Sequence, residues 1–399
     1  MTFADLQNGL YNFIGEGLGF APGSPLQLVQ PSPPLPGSTS NDTLWAYMNN
    51  IPPFSLTQNY IASAGNEFFS DYQALMSALV PSVTVDILAD IGPTAYNAFL
   101  TYIQNLTPTP SVTQYPNLFL NWAFAHYPAV AIKGASDWST MLLDPIARAQ
   151  MALMPYTSIG GNLAKTPEWS LGYSQLTSQL ASAPNKSFSE VDVQSSSNVT
   201  NSWTNGGNSG FFGLWGSSES SSSQSQTFAS QAVSLSVSFA HVTTFTPAPG
   251  AWYDSGALGL AYSTQTGKPW NPGSAITWQK TFGSNGNMQR FASSMIVVSG
   301  MNVTAQSTSS FSSSDQTTIT KNSGGGLWPF YSSNNSSSFH TSHNFNSANR
   351  LTISTSSAAG VPIVIGVTVL SASQYLGHAV AGRANYLQLT AALTAKAAG

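Results

Sequence analysis

The chain has 399 residues and a net charge of −4, and charged residues make up 7% of it, against about 25% in an ordinary globular protein. Its 42% apolar content is ordinary, so it can build a core, and Ser, Thr, Asn, Gln, Gly and Ala must fill most water-facing positions. The scattered Lys and Arg exclude a basic nucleic-acid surface, and the absence of cysteine excludes disulfides and thiolate metal sites.

So neutral a surface repels copies of itself weakly, which favours close self-association. Residues 1–20 lack a basic n-region and a continuous apolar h-region, so no Sec signal peptide is expected. No apolar run reaches the length of a membrane-spanning helix. Localisation therefore stays open between the cytoplasm and export by a non-Sec route.

Taken in order, Phe3, Leu6, Leu10, Phe13, Ile14 and Leu18 recur at helical spacing behind Thr2, which predicts a helix docked on the rest of the protein. Gly15, Gly17 and Gly19 are expected to loosen its end. Six prolines between Pro22 and Pro36 predict an extended strap. From Asn41 to Ser182 the pattern is helical. Ser55 opens a run closed by Pro81, Pro93 occupies a first helical turn, and Asn117–His126 and Asp137–Met154 follow with apolar faces. This half carries no chemical motif.

The character changes near Pro184. Phe188 leads into a strand through Val191 and Val193, and Val233, Leu235, Val237 and Phe239 alternate with Ser234, Ser236 and Ser238, the period of a half-buried strand. Residues 253–272 read as loops and a short strand. Ser293–Val303 is a strand leading into a Ser/Thr arm at Thr304–Thr320. Leu351–Ile353 and Val361–Leu370 are strands, and Arg383–Lys396 is a terminal helix with Tyr386, Leu389 and Leu393 on one face.

Catalytic candidates are few, because acid–base chemistry needs titratable groups held together. There is no G-x-S-x-G elbow, phosphate-binding loop or dinucleotide fingerprint. His340 and His343 are three apart, so in a strand they face opposite ways and do not converge on an ion. Asp86 and Asp90 would share a helix face, most simply as helix-start charge. Asp254 beside Trp252 and Tyr253 could bind a sugar, although turns use the same residues. The expectation is a non-enzyme without cofactor or metal.

The informative stretches are Asn205–Phe228 and Asn322–Phe345. Each carries Gly-Leu-Trp (Gly213-Leu214-Trp215 and Gly326-Leu327-Trp328) among glycines and serines. Phe211, Phe212, Leu214 and Trp215 crowd together in the first, and Leu327, Trp328, Phe330 and Tyr331 in the second. Large apolar side chains on a loop tip need a partner, which is the protein's own core, a neighbouring subunit or a bilayer. The β half reads twice as strand, Ser/Thr arm, tip, arm, strand, which suggests a duplicated unit.

Ser/Thr-rich arms around a short apolar tip resemble the insertion hairpins of aerolysin-type pore-forming toxins. Two per chain are similar in plan to the perforin and cholesterol-dependent cytolysin family. The resemblance covers residues 188–240 and 293–370 and implies strands that insert into a bilayer. Ser217–Ser223 departs from it, offering no apolar face to lipid.

The sequence thus predicts an α+β fold: a helical N-terminal half, then an antiparallel β-sandwich-like half with two long Ser/Gly-rich hairpins. Its parts are residues 1–40 (helix and strap), 41–183 (helical), 184–372 (β-rich, duplicated tips) and 373–399 (terminal helix). The expected function is a non-enzymatic structural protein that self-associates into a homo-oligomer or larger assembly through the aromatic tips and the strap. The alternative is a membrane-binding or pore-forming toxin that uses the same hairpins. Its expected partners are copies of itself, with a lipid bilayer as the alternative and no nucleic acid.

Overall fold

A computed structural model describes residues 3–21, 24–29, 35, 41–53, 67–158, 164–193, 223–322, 326–327, 330–331 and 338–377. The fold is α+β, with helices concentrated in the N-terminal half and a seven-stranded antiparallel sheet in the C-terminal half.

The chain opens with α1 (Phe3–Leu18) and the short strand β1 (Leu26–Leu28). Helices α2 (Asp42–Asn49), α3 (Phe68–Ala78), α4 (Ile87–Ile91), α5 (Pro93–Gln104), α6 (Tyr115–His126), α7 (Ala131–Met141), α8 (Pro145–Leu153) and α9 (Tyr173–Ala181) follow. Next come β2 (Lys186–Glu190), α10 (Ser223–Ala229), β3 (Val233–Phe245), α11 (Ser255–Ser263), α12 (Trp278–Phe282) and β4 (Arg290–Ser310). The chain continues with α13 (Ser313–Asn322), β5 (Gly326–Leu327), β6 (Phe330–Tyr331), β7 (Phe339–Phe345), β8 (Arg350–Ser357), β9 (Ile363–Ser371) and α14 (Ala372–Tyr375).

Helix boundaries follow local chemistry. Pro93 and Pro145 occupy the first turns of α5 and α8, where no backbone donor is needed. Asp144, Asp254 and Thr277 cap α8, α11 and α12, each accepting a backbone N–H from the first turn. Gly19, at φ +96, takes the left-handed conformation that ends α1. Helix α11 corrects the expectation of loops and a short strand over 253–272. Gly256 and Gly259 weaken its helical signature, and the Asp254 cap together with buried Ala257, Leu258 and Ala261 holds it.

The sheet is organised on β4. One side of β4 pairs with β3 over nearly its whole length, and β2 lies outside β3. The other side changes partner: Arg290–Val298 pairs with β9, and Asn302–Ser310 pairs with β8, which carries β7 on its outer side. Gly300, at φ +58, sits at the changeover, with Ala240 Cβ 2.7 Å from where its own Cβ would stand. A side chain there would clash, so the strand bends on a glycine.

Three cores result. The first lies on one face of the sheet, built from the alternating Val233, Leu235, Val237 and Phe239 of β3 and from Val303 and Ala305 of β4. Leu6, Leu10, Ile14 and Leu18 of α1 cover them, along with Phe228 of α10, Ile319 of α13 and Phe330 of β6. Helices and a two-residue-per-strand hairpin thus form the second layer of the expected sandwich. Gly17 serves close approach here: its Cβ position is 2.4 Å from the Phe188 ring, so only glycine lets α1 seat against β2.

The second core joins the halves. Phe68, Tyr72 and Trp252 meet edge to face, and Phe68 also meets Phe291 of β4 at 5.0 Å between ring centroids. Helices α2, α3, α8 and α9 therefore share a core with the sheet. The third core, around Phe99, Phe119 and Trp138, is built by α4–α7 with Met151 of α8.

The described residues of the strap, 24–29 and 35, lie along the sheet. β1 pairs antiparallel with β9, Val29 N–H donates to Ile365 O (2.9 Å), and Leu35 N–H donates to Pro362 O (2.8 Å). Arg290 ties in the chain further on through Pro53 O (2.8 Å). The expected helix at 383–396, and the part of the Ser55–Pro81 run before Glu67, lie outside the described residues.

Candidate assembly surface

Strand register builds the surface. Beyond Gly300 one face of the sheet belongs to the first core, and the other alternates outward. Its rows are Ser187–Ser238–Asn302–Ser356–His340, Ser189–Ser236–Thr304–Ser354–Ser342 and Ser234–Gln306–Thr352–Asn344. All these side chains are exposed or half-exposed. Thr304 and Ser354 hydroxyls lie 3.2 Å apart, and Gln306 Nε2 donates to Thr352 Oγ1 (3.1 Å). The rows carry no carboxylate, lysine or arginine; Arg350 stands at one end, opposite Ser310. The low charge of the chain shows here as an uncharged platform across five strands.

The two edges of this platform differ. β2 carries Lys186 and Glu190, charges that deter strand addition, and Lys186 Nζ donates to Leu18 O (2.6 Å) at the end of α1. β7 (Phe-His-Thr-Ser-His-Asn-Phe) has seven residues, no Pro and no formal charge, and among the described residues only β8 pairs with it.

Connectivity adds a second feature. β2 hands over to β3 through residues 191–232, and β4 to β7 through 311–338; β7 then turns directly into β8 through 346–349. Glu190, Leu235 and Ala305 form one row, so β2 and β4 give up the chain at the same end; residues 191–232 rejoin the sheet there, whereas 311–338 rejoin it at Phe339, opposite Ser357, at the other end of β8. These are the two Gly-Leu-Trp stretches. Within them α10 and α13 are linked by Gln224 Nε2 donating to Asp315 Oδ1 (2.8 Å). Helix α13 differs from the expected continuous arm over Thr304–Thr320. Ser312 caps it by accepting from Asp315 N–H (3.1 Å), and its hydroxyl donates to the Asp315 carboxylate (2.6 Å).

Phe211, Phe212, Leu214, Trp215 and Trp328 lie outside the described residues. Leu327 and Tyr331 fall in the paired strands β5 and β6, and their side chains lie outside the description. Phe330 is corrected: it is 1% exposed, with its ring 6.3 Å from Phe239, so it belongs to the chain's own core and not to a partner surface.

Other sequence candidates resolve structurally. His340 is on the platform and His343 on the opposite face of β7, as the alternation predicts. Asp86 caps α4 (3.1 Å to Ala89 N), and Asp90 pairs with Lys133, which holds its carboxyl below the usual range. Asp254 pairs with Arg148 and caps α11, and Trp252 is fully buried, which removes the sugar-platform reading.

A cavity of about 200 Å³ is lined by Asp71, Leu75, Ile276, Lys280, Thr281 and Asn287, among others. Burial pushes the Asp71 carboxyl up to about 6. The lining has no second carboxylate or histidine, and Lys280 is its other ionisable side chain. Among the described residues no group of three His, Asp or Glu is placed to hold a metal, and no helix is long and apolar enough to cross a membrane.

Comparison with protein-family models, curated proteins and solved structures finds no match to this chain.

Proposed function

We propose that this is a non-enzymatic structural protein that self-associates by adding a strand from a neighbouring copy to the outer edge of β7. The carrying observation is the contrast between the edges: β2 is charged, whereas β7 is a seven-residue edge whose alternate backbone donors and acceptors face away from β8, with no charge or proline against pairing. The adjoining platform is uncharged, so two copies approach with little repulsion. The Gly-Leu-Trp segments and the strap would add contacts. Ser342→Lys with Asn344→Lys puts two exposed charges on β7 without touching the core. Light scattering should report at least a tenfold weaker association in low salt, partly restored when salt screens the lysines. A wild-type chain that is monomeric at every concentration contradicts the proposal.

A second reading, a membrane-inserting toxin, is favoured by residues 191–232 and 311–338 leaving the sheet at the same end, where β2 and β4 finish. Drawn out as extended arms, the first would prolong β2–β3, and the second would prolong β4 and, with β7 released from the edge of the sheet, β8 in the same direction. Dye release from vesicles tests it, with Trp215→Ala and Trp328→Ala expected to slow leakage. Absence of leakage from the wild type on every lipid composition removes it.

A further inference from the structure

We propose that the strand added to β7 is the β7 of a second copy of this chain, in a two-fold antiparallel pairing centred on Ser342. This rests on the self-association proposed above and adds to it the partner strand, the register and the symmetry.

The bonds at the two ends of β7 show which backbone groups face outward. Ala358 N–H donates to Ser338 O (2.9 Å), and Asn346 N–H donates to Arg350 O (3.2 Å). Both belong to the register that sets His340 opposite Ser356, Ser342 opposite Ser354 and Asn344 opposite Thr352. Successive pairs of an antiparallel ladder alternate between bonded and unbonded. His340, Ser342 and Asn344 therefore turn their N–H and C=O groups to β8. Phe339, Thr341, His343 and Phe345 turn theirs to the free edge, where among the described residues no strand meets them.

A second β7 satisfies all four outward residues in one register. Phe339 stands opposite the partner's Phe345, Thr341 opposite the partner's His343, and Ser342 opposite the partner's Ser342 on the axis. Each bonded pair exchanges two hydrogen bonds. Sliding one strand by two residues leaves an outward residue of each strand unpaired, and sliding it by one sets bonding positions against non-bonding ones.

Side chains favour the same register. On the core face each end of the ribbon places Phe339 against the partner's Phe345. Both rings are half-buried against the first core, with Phe345 5.9 Å from Phe311 between centroids. Cross-strand aromatic pairs of this kind strengthen strand pairing. On the platform face His340 stands beside the partner's Asn344 and serine beside serine. The other outer strands of the sheet fit less well: β2 brings Lys186 and Glu190, and β1 has three residues. β7 matches its own length and carries no lysine, arginine or carboxylate. A two-fold pairing uses one patch twice and closes, so this edge joins two copies and no more.

Cysteine cross-linking of the full chain tests the proposal, because the wild type contains no cysteine. An unbonded antiparallel pair holds its Cα atoms about 4.5 Å apart, within the span of a disulfide. Ser342→Cys should therefore give a disulfide-linked dimer on mild oxidation. Asn344→Cys alone should cross-link at least tenfold less, because its two copies stand four residues out of step, about 13 Å along the strand. His340→Cys alone should behave the same way, and mixing these two variants should restore the cross-link. All three residues are exposed on the platform, and an unchanged circular dichroism melt confirms folding. The proposal is overturned if Ser342→Cys stays unlinked while light scattering shows that variant associated; self-association then survives with a different partner strand. It falls equally if Asn344→Cys alone links as readily as Ser342→Cys, or if the mixture stays unlinked. A wild type that is monomeric at every concentration removes this pairing and the association reading together.

Discussion

Asn287 donates its side-chain amide to Asp71 Oδ1 over 2.7 Å, joining residues 216 positions apart in the chain. One stands on α3 and the other in the turn before β4, so the bond fastens the helical layer to the root of the central strand. The other carboxylate oxygen of Asp71 is buried with no hydrogen-bond partner. Burial raises this group to about 6, and the nearby Glu67 pushes the same way, against the Asn287 hydrogen bond.

A pH dependence follows. Asp71 titrates near 3.9 when unfolded and near 6 when folded, so between these values the native chain binds more protons. Stability from this group is complete below the unfolded value and is lost as pH rises through about 6. Urea denaturation between these limits should show the wild type weakening with pH relative to Asp71→Asn, in which the asparagine keeps a hydrogen-bonding partner for Asn287. Lys280, which lines the same cavity, should be changed separately to show that the slope belongs to Asp71.

Gly17 and Phe188 should be coupled with a change of sign. Gly17→Ala in the wild type pushes a methyl into the Phe188 ring, and overpacking of this kind costs about 1–3 kcal/mol. With Phe188→Ala the clash is gone, and the same substitution should stabilise α1 by up to about 1 kcal/mol, the helix propensity of alanine over glycine. A double-mutant cycle by denaturant unfolding reads both signs. Equal effects in the two backgrounds would remove the close-approach account.

Arg148 and Asp254 should be graded. Arg148 donates from Nε to Asp254 Oδ2 and from Nη2 to Oδ1 (3.2 Å), while Asp254 also accepts from Ala257 N–H (3.0 Å) at the start of α11. Asp254→Asn keeps the cap and loses the ion pair; Asp254→Ala loses both. The alanine variant should be less stable than the asparagine variant by about 1 kcal/mol, the usual worth of a cap. Melting temperatures of the three proteins check the order.

Much of this architecture is legible in the sequence because it obeys simple periods. β3 alternates perfectly from Val233 to Phe239, and α1 carries its stripe from Phe3 to Leu18, so both are placed within a few residues. Helix α13 is not, since a Ser/Thr run has weak preferences and its one strong signal is local: Ser312 and Asp315 at capping spacing. Helix α11 is hidden by Gly256 and Gly259.

The surfaces are less legible than the elements. That Ser236, Thr304, Ser354 and Ser342 form one row depends on the pairing of four strands from distant parts of the chain. Phe330 shares its composition with the tip, but the register of β6 turns it onto Phe239.

The central claim, that β7 receives a strand from another copy, is tested most directly by light-scattering mass across a wide dilution series, for the wild type beside Ser342→Lys/Asn344→Lys. The account predicts a wild-type mass that is a multiple of the monomer and a variant that falls to the monomer at protein concentrations where the wild type stays assembled. A wild-type monomer throughout, or a variant that assembles as the wild type does, contradicts it.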